Sequence, residues 1–136
     1  AVARAIEACK AAGAKRAMPL PVSVPSHCAL MRPAAEGLAD VLAGMTLHTP
    51  EIPVINNVDV SVETDTAAVR DALVRQLHSP VRWVETVQRL SAEGVEQAYE
   101  CGPGKVLAGL VKRIERGLNV VALENADALR AETPNG

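Results

Sequence analysis

Apolar residues recur along this chain at two kinds of spacing, which divide it into helical and extended segments. Spacings of three and four residues predict helices over residues 1–12, 33–45, 66–77, 81–92 and a segment that opens after Gly104. Short apolar runs predict strands at residues 17–24, 52–55, 95–101 and 118–123. Because strands and helices alternate through the second half, we predict an α/β layered architecture with at least part of the sheet parallel.

Proline and glycine refine these elements. Gly13 suits the position that follows a helix C-terminus. Pro19 and Pro21 each remove a backbone donor, so residues 17–24 are expected to form an edge strand or an irregular strand. Residues 52–55 are expected to form a buried strand.

Side-chain spacing also predicts which positions face the core. The inward positions are Leu38, Val41, Leu42 and Met45 on the second helix, Val84, Val87 and Leu90 on the fourth, and Leu107, Leu110, Val111 and Ile114 on the last. Residues 131–136 form a polar tail that is expected to fray.

Composition excludes several classes of function. The 136 residues are 49% hydrophobic and 22% charged, which is typical of a globular protein. Aromatic residues make up only 1%, so the core must be aliphatic and base stacking is disfavoured. A net charge of −2 provides no basic field for nucleic acid. No apolar stretch approaches the ~20 residues that span a membrane.

The three cysteines, Cys9, Cys28 and Cys101, form no CxxC pair and no zinc-binding spacing. They are expected to be reduced, buried thiols in a cytoplasmic protein. The first helix begins without an initiator methionine or a cap. We therefore expect the chain to be the C-terminal part of a longer protein, with a processed or trimmed start as the alternative.

His27 is the leading candidate for chemistry. It lies in an elbow after Pro25, where an extended run ends and a helical pattern resumes a few residues later. An imidazole takes and returns protons near neutral pH, but it needs a partner that orients the ring through its other nitrogen. The alternative interpretation is an ordinary turn residue. His78, at a helix end, is better explained as a cap, and His48 as a solvent-exposed residue. The spacing of the three histidines does not support a metal site.

No nucleophile motif accompanies His27. Ser26 and Cys28 are its neighbours in sequence, and neighbours in an extended segment point to opposite faces. No serine has the flanking glycines of a G-x-S-x-G elbow. Cys101 precedes a Gly-Pro-Gly turn, but a small buried thiol at a strand end is the favoured interpretation.

Two polar features remain. Asn56 and Asn57 follow a predicted strand, where α/β proteins bind ligands, and a turn role is the alternative for Asn56. Residues 102–105 open a helix without P-loop spacing, so a tight turn is favoured over phosphate binding. A basic stripe on that helix suggests either a solvated face or a dock for an acidic partner; it comprises Lys105, Lys112, Arg113 and Arg116.

Five blocks of sequence together resemble the bacterial malonyl-CoA:acyl-carrier-protein transacylase family, and specifically its C-terminal part. They occur in the family's order and at plausible spacing. The blocks are PLPVSVPSHCALM at residues 19–31, VINNVD at 54–59, LVRQL at 73–77, PVRW at 80–83 and GPGKVL at 102–107.

The resemblance implies a mechanism and a set of site residues. In this family a serine attacks malonyl-CoA, and a histidine takes the serine proton and gives it to the departing thiol. The same histidine then activates the phosphopantetheine thiol of acyl carrier protein. His27 matches that histidine, and Gln76 matches the residue whose backbone carbonyl orients it. Asn57 and Val106 match positions that line the family's site. The substrates would be a CoA thioester and acyl carrier protein, in fatty acid biosynthesis, with no cofactor, metal, nucleic acid or membrane.

The resemblance also implies a fold and its division. The family has an α/β-hydrolase-like core with an inserted ferredoxin-like subdomain. Residues 1–24 would end that subdomain, residues 25–130 would be the C-terminal part of the core, and residues 131–136 would be the tail. The family's nucleophilic serine, oxyanion-hole glutamine and malonate-binding arginine belong to earlier sequence and are absent from this chain. The chain alone is therefore expected to be inactive, with apolar faces left uncovered.

Two alternatives remain open. The chain could be a non-catalytic module that binds acyl carrier protein through the basic stripe. It could also be a cysteine hydrolase that uses Cys28 or Cys101 with His27.

Overall fold

Two parallel strands and the helix between them organise the second half of the protein, in a computed structural model that describes residues 1–132. Strand β1 (Gln97–Cys101) pairs in parallel with β2 (Asn119–Leu123), in a register that runs from Gln97 opposite Asn119 to Cys101 opposite Leu123. Helix α5 (Val106–Ile114) connects them. This confirms the predicted α/β class and the parallel pairing.

The remaining elements are helical. They are α1 (Val2–Ala11), a 3₁₀ turn (Ala29–Met31), α2 (Arg32–Ala43), α3 (Thr66–Arg75), α4 (Trp83–Ala92) and α6 (Ala126–Glu132). Asp65 begins α3 by accepting a hydrogen bond from the Ala68 N–H at 2.9 Å. Gly13 follows α1 with φ at +89°, a conformation that glycine adopts without steric cost, so its predicted role is confirmed.

The main core lies where α4 packs against α5 and α5 packs against β2. Val87, Val111 and Leu118 are buried there, and Trp83, Leu90, Val95, Ala98, Ile114 and Val120 pack around them. Helix α2 also packs against α3, and Ala35 and Leu42 on α2 and Ala72 on α3 are buried. The Arg70 guanidinium on α3 links the two helices by donating hydrogen bonds to the Leu42 and Met45 carbonyls, at 3.1 and 2.7 Å. These carbonyls lie at the C-terminal end of α2, where the helix itself provides no further N–H donors for them.

Two predicted strands are wrong. Residues 17–24 form no ladder, and Met18, Leu20, Val22 and Val24 are more than half exposed. Residues 52–55 are not a buried strand either: Ile52 and Val54 are 76% and 61% exposed, and only Ile55 makes a bridge, to Val62. Both segments have strand-like sequences, but within residues 1–132 neither has a neighbouring strand with which to share a ladder of hydrogen bonds.

Several expected core positions are also exposed. Val41, Met45, Val84, Leu107 and Leu110 lie on the predicted inward faces, yet each is between 38% and 60% exposed. The helical period places them correctly beside buried neighbours such as Leu42, Val87 and Val111, but no described element covers that part of the face. The uncovered apolar faces that the resemblance implied are therefore present.

The cysteines and the end of the chain need further corrections. All three thiols are free, but Cys9 and Cys101 are exposed and Cys28 is half-buried, so the expectation of buried thiols is wrong. Helix α6 extends to Glu132, so the expected tail begins inside a helix, and residues 133–136 lie outside the described part. Every helix among residues 1–132 falls short of what crossing a bilayer requires.

Candidate active site

His27 is anchored by its backbone and its side chain to the turn that follows α3. Its N–H donates to the Leu77 carbonyl at 3.0 Å, and its Nδ1 lies 2.8 Å from the Gln76 carbonyl oxygen. These carbonyls lie just beyond the last residue of α3, at the end of the helix that carries partial negative charge. The His27 ring thus has a fixed orientation and is exposed to solvent.

The Gln76 contact determines which nitrogen of His27 carries the proton. A carbonyl oxygen can only accept a hydrogen bond, so Nδ1 must be the protonated nitrogen in the neutral ring. Nε2 then has a free lone pair. A neutral imidazole held in this tautomer is equipped to accept a proton from a group placed at Nε2.

The elbow achieves this orientation with an unusual backbone. His27 has φ at +60°, a conformation in which few residues other than glycine, asparagine, aspartate and histidine are found. Such a residue costs of the order of 1 kcal/mol, and it persists because the surrounding contacts hold it. The Cys28 thiol donates to the Pro25 carbonyl at 3.1 Å, so it is engaged within the elbow and not with the imidazole.

Asn57 lies on the other side of Gln76. Its Nδ2 donates to Gln76 Oε1 at 3.4 Å, and its carbonyl accepts a hydrogen bond from the Arg82 N–H at 2.9 Å. Its Oδ1 is buried and has no partner among the described residues. Asn56 is a turn residue, as one interpretation had it, because its Oδ1 accepts from the N–H groups of Val58 and Asp59 at 3.1 and 2.8 Å.

A cavity of about 270 Å³ adjoins Asn57 and Gln76. Most of its wall is apolar, formed by Val54, Ile55, Val69, Ala72 and Leu73 among others. Neither His27 nor Val106 is among the lining residues; His27 adjoins the cavity through Gln76, whereas Val106 begins α5 and is 71% exposed. The structure therefore brings His27, Gln76 and Asn57 together and leaves Val106 apart from this cavity.

One ion pair beside the site was not anticipated from the sequence. The Arg75 guanidinium binds both carboxylate oxygens of Asp59, at 2.9 and 2.5 Å, and its Nε binds Asp71 at 2.6 Å. The hydrogen bond from Arg75 lowers the pKa of Asp59 below its usual value, and the two carboxylates raise the pKa of Arg75. The pair joins residues 16 positions apart on different elements, so no local spacing could have indicated it.

The turn before α5 is confirmed as a tight turn. Gly102 and Gly104 have φ at +142° and +91°, which requires glycine. The Glu100 carboxylate accepts hydrogen bonds from the Leu107 and Ala108 N–H groups, at 3.0 and 2.8 Å. These first-turn donors of α5 are therefore already satisfied by the protein.

The basic stripe divides into two parts. Lys105, Lys112 and Arg116 line a groove of about 570 Å³ between α5 and β2, and Arg113 lies outside it. Lys105 forms an ion pair with Glu124 at 3.6 Å. His48 is exposed, as expected. Residues 1–132 contain no cluster of three or more His, Cys, Asp or Glu side chains that could hold a metal ion.

Comparison with known proteins gives matches over nearly the whole chain. It is 63% identical over 131 residues to the malonyl CoA-acyl carrier protein transacylase of Salmonella typhimurium and 61% identical to that of Escherichia coli K12. These alignments cover 96% of this chain and 42% of each relative, so the chain spans about two fifths of their length. No family model matches.

Solved structures agree. The backbone matches that of an acyl carrier protein S-malonyltransferase from Vibrio cholerae with a TM-score of 0.86 and 60% identity, over 96% of this chain and 43% of that one. It also matches a malonyl-transacylase in complex with a type II PKS acyl-carrier protein, with a TM-score of 0.90 and 56% identity, over 99% and 44% of the two chains.

All of these relatives are acyltransferases by name. Over nearly its whole length the chain therefore corresponds to a part of the malonyl CoA-acyl carrier protein transacylases. The family that the five sequence blocks indicated is thereby confirmed.

Proposed function

We propose that this chain is the C-terminal part of a malonyl-CoA:acyl-carrier-protein transacylase and supplies its general base, His27. The observation that carries the proposal is the 2.8 Å contact between His27 Nδ1 and the Gln76 carbonyl, which leaves Nε2 as the proton acceptor. A neutral carbonyl here takes the place of the carboxylate that orients histidine in many triads.

The proposed reaction has two half-reactions. A serine supplied by the rest of the protein attacks the malonyl thioester carbonyl while Nε2 takes its proton, and the C–S bond breaks. The departing CoA thiolate takes the proton from His27. In the second half-reaction Nε2 takes the proton of the carrier-protein thiol, which attacks the malonyl-serine ester, and the proton returns to the serine oxygen.

The other site residues have supporting roles in this proposal. Gln76 orients His27 through its main chain, and Asn57 and Val106 line the substrate site. For Asn57, its contact with Gln76 and its position on the cavity wall support that role. The proposed role of Val106 is supported by the family resemblance alone. No cofactor is required, because every proton and bond is accounted for by serine, histidine and the two thiols.

The same proposal covers the wider architecture. Residues 25–130 would be the C-terminal part of an α/β-hydrolase-like core, and residues 1–24 the end of a ferredoxin-like subdomain. The exposed apolar side chains of residues 17–24 and 52–55 are consistent with burial against further sequence. Three free thiols are consistent with a cytoplasmic protein.

The test joins this chain to an N-terminal transacylase segment that carries the serine elbow; we call the product the composite enzyme. The assay follows malonyl transfer from malonyl-CoA to acyl carrier protein. We expect transfer by the composite enzyme, none by this chain alone, and none when the elbow serine is replaced by alanine. A folded composite enzyme without transfer, or transfer that survives loss of the serine, would contradict the proposal.

A second candidate function is a non-catalytic module that binds acyl carrier protein. The groove lined by Lys105, Lys112 and Arg116 favours it, because an acidic partner is attracted by adjacent cations. Titration of this chain with carrier protein should then give saturable binding that weakens with salt. Absence of binding at low salt would exclude this candidate.

A further inference from the structure

A closed loop of residues 56–61 covers the turn that binds His27. Asn56 holds the loop from inside. Its Oδ1 accepts hydrogen bonds from the N–H groups of Val58 and Asp59, and its Nδ2 donates to the carbonyl and hydroxyl of Ser61, at 3.0 and 2.9 Å. Val60 has φ at +58°, which is unfavourable for a β-branched residue. The loop therefore has one defined shape, maintained against local strain.

Arginines from the two adjoining helices hold the same loop from outside. Arg75 at the end of α3 binds the Asp59 carboxylate with two hydrogen bonds. Arg82 donates to the Asp59 carbonyl at 3.3 Å, and Arg89 on α4 donates to the Val60 carbonyl at 2.5 Å. A guanidinium that makes two parallel bonds to a carboxylate fixes direction as well as distance.

Two contacts of the loop lie next to Gln76, whose carbonyl orients His27. Arg75 is the residue immediately before Gln76, and Asn57 from the loop contacts the Gln76 side chain. We propose that Asp59 is a positioning residue for the base: its pair with Arg75 fixes the turn after α3, so that the Gln76 carbonyl stays at His27 Nδ1. This inference rests on the proposed function for its catalytic meaning.

Asp71 provides a matched control because it binds the same arginine without touching the loop. It pairs with Arg75 within α3 at 2.6 Å and is 62% exposed. Replacing Asp71 removes one charge and one hydrogen bond from Arg75 and leaves the link between loop and turn intact. Replacing Asp59 also removes one charge, but it breaks the two parallel hydrogen bonds that form this link. Any effect of Asp59 beyond that of Asp71 therefore reports the link itself.

The experiment uses the composite enzyme with ¹⁵N-labelled histidine. The His27 resonances are identified by their loss in His27→Ala, and their shifts report whether Nδ1 or Nε2 carries the proton. In Asp59→Asn we expect the Nδ1-protonated form to give way to a mixture of tautomers. We also expect kcat for malonyl transfer to fall about tenfold, since small misplacements of a catalytic group are costly, with KM for malonyl-CoA unchanged.

Two further variants sharpen the test. Asp71→Asn is expected to keep both the tautomer and kcat within about twofold, since a surface pair within one helix contributes little. Asp59→Glu, which retains the charge, is expected to recover most of the Nδ1-protonated signal. Should Asp59→Asn fail to fold, Arg75→Lys replaces it, because lysine keeps the charge but loses the two parallel bonds.

The inference is overturned if Asp59→Asn keeps both the tautomer and kcat, or if Asp71→Asn disturbs them equally. Failure of the proposed function is distinguishable: it would show as absent malonyl transfer in the composite enzyme with Asp59 in place. The histidine resonances would still report on positioning in that case.

Discussion

Replacing Gln76 with alanine separates its backbone role from its side-chain role. The carbonyl that lies 2.8 Å from His27 Nδ1 belongs to the main chain, so Gln76→Ala leaves it in place. What is lost is the hydrogen bond between Asn57 Nδ2 and Gln76 Oε1, whose 3.4 Å length exceeds the ~2.7–3.2 Å that is typical of N–H···O bonds.

The expected loss follows from that distance. A neutral hydrogen bond contributes about 0.5–1.5 kcal/mol, and one this long falls at or below the low end. If about 0.5 kcal/mol is lost in positioning the turn, malonyl transfer slows by about two- to threefold, because 1.36 kcal/mol corresponds to a factor of ten.

The assay is kcat for malonyl transfer in the composite enzyme. Gln88→Ala, at an exposed position on α4, is the control for a generic loss of a glutamine side chain and should leave kcat unchanged. A loss of a hundredfold or more in Gln76→Ala would show that the side chain acts on the reaction directly. The assignment of His27 orientation to the backbone carbonyl would then be wrong.

The remaining predictions concern stability and the thiols. Val87→Ala should lower the free energy of unfolding by about 2–3 kcal/mol in a urea titration, since it removes two buried methyl groups and leaves a cavity. The control is Val84→Ala, at a half-exposed position on the same helix, which should lower it by less than about 1 kcal/mol. Equal effects would contradict the described core. Because the hydrogen bond from Arg75 lowers the pKa of Asp59, the ionised carboxylate stabilises the fold above the unfolded-state pKa of about 4. The difference in stability between the protein and Asp59→Asn should therefore be full at pH 6 and decrease as the pH falls below about 4. A difference that stays constant from pH 6 into this acid range would contradict the linkage. Alkylation of the exposed thiols Cys9 and Cys101 should leave malonyl transfer within about twofold, and complete loss would favour a cysteine mechanism.

The sequence correctly predicted the helices and strands that are determined by their own residues. Helix α3 is capped by Asp65 and ends before Pro80, and β1, α5 and β2 follow from apolar period and glycine placement. Residues 17–24 and 52–55 were misassigned because a strand depends on a partner, and their apolar runs carry no information on whether one is present.

The candidate site was predictable only in part. The elbow around His27 is visible in the sequence, but its link to Gln76 spans 49 positions and came from the family resemblance. The Asp59–Arg75 pair was missed altogether, because charged residues on different elements meet only after the chain has folded. Asn57 was noticed for its place after an apolar run, which then proved not to be a buried strand.

The most direct test of the central claim is the rate of each half-reaction in the composite enzyme with His27→Ala. Rapid mixing with labelled malonyl-CoA measures malonylation of the serine, and addition of carrier protein then measures transfer to its thiol. His48→Ala, an exposed histidine remote in sequence, is the control and should leave both rates unchanged. We predict that His27→Ala slows both steps by about 10²- to 10⁴-fold, which is the rate enhancement that a general base usually contributes. Both half-reactions proceeding at the rate of the His48→Ala control would contradict the account.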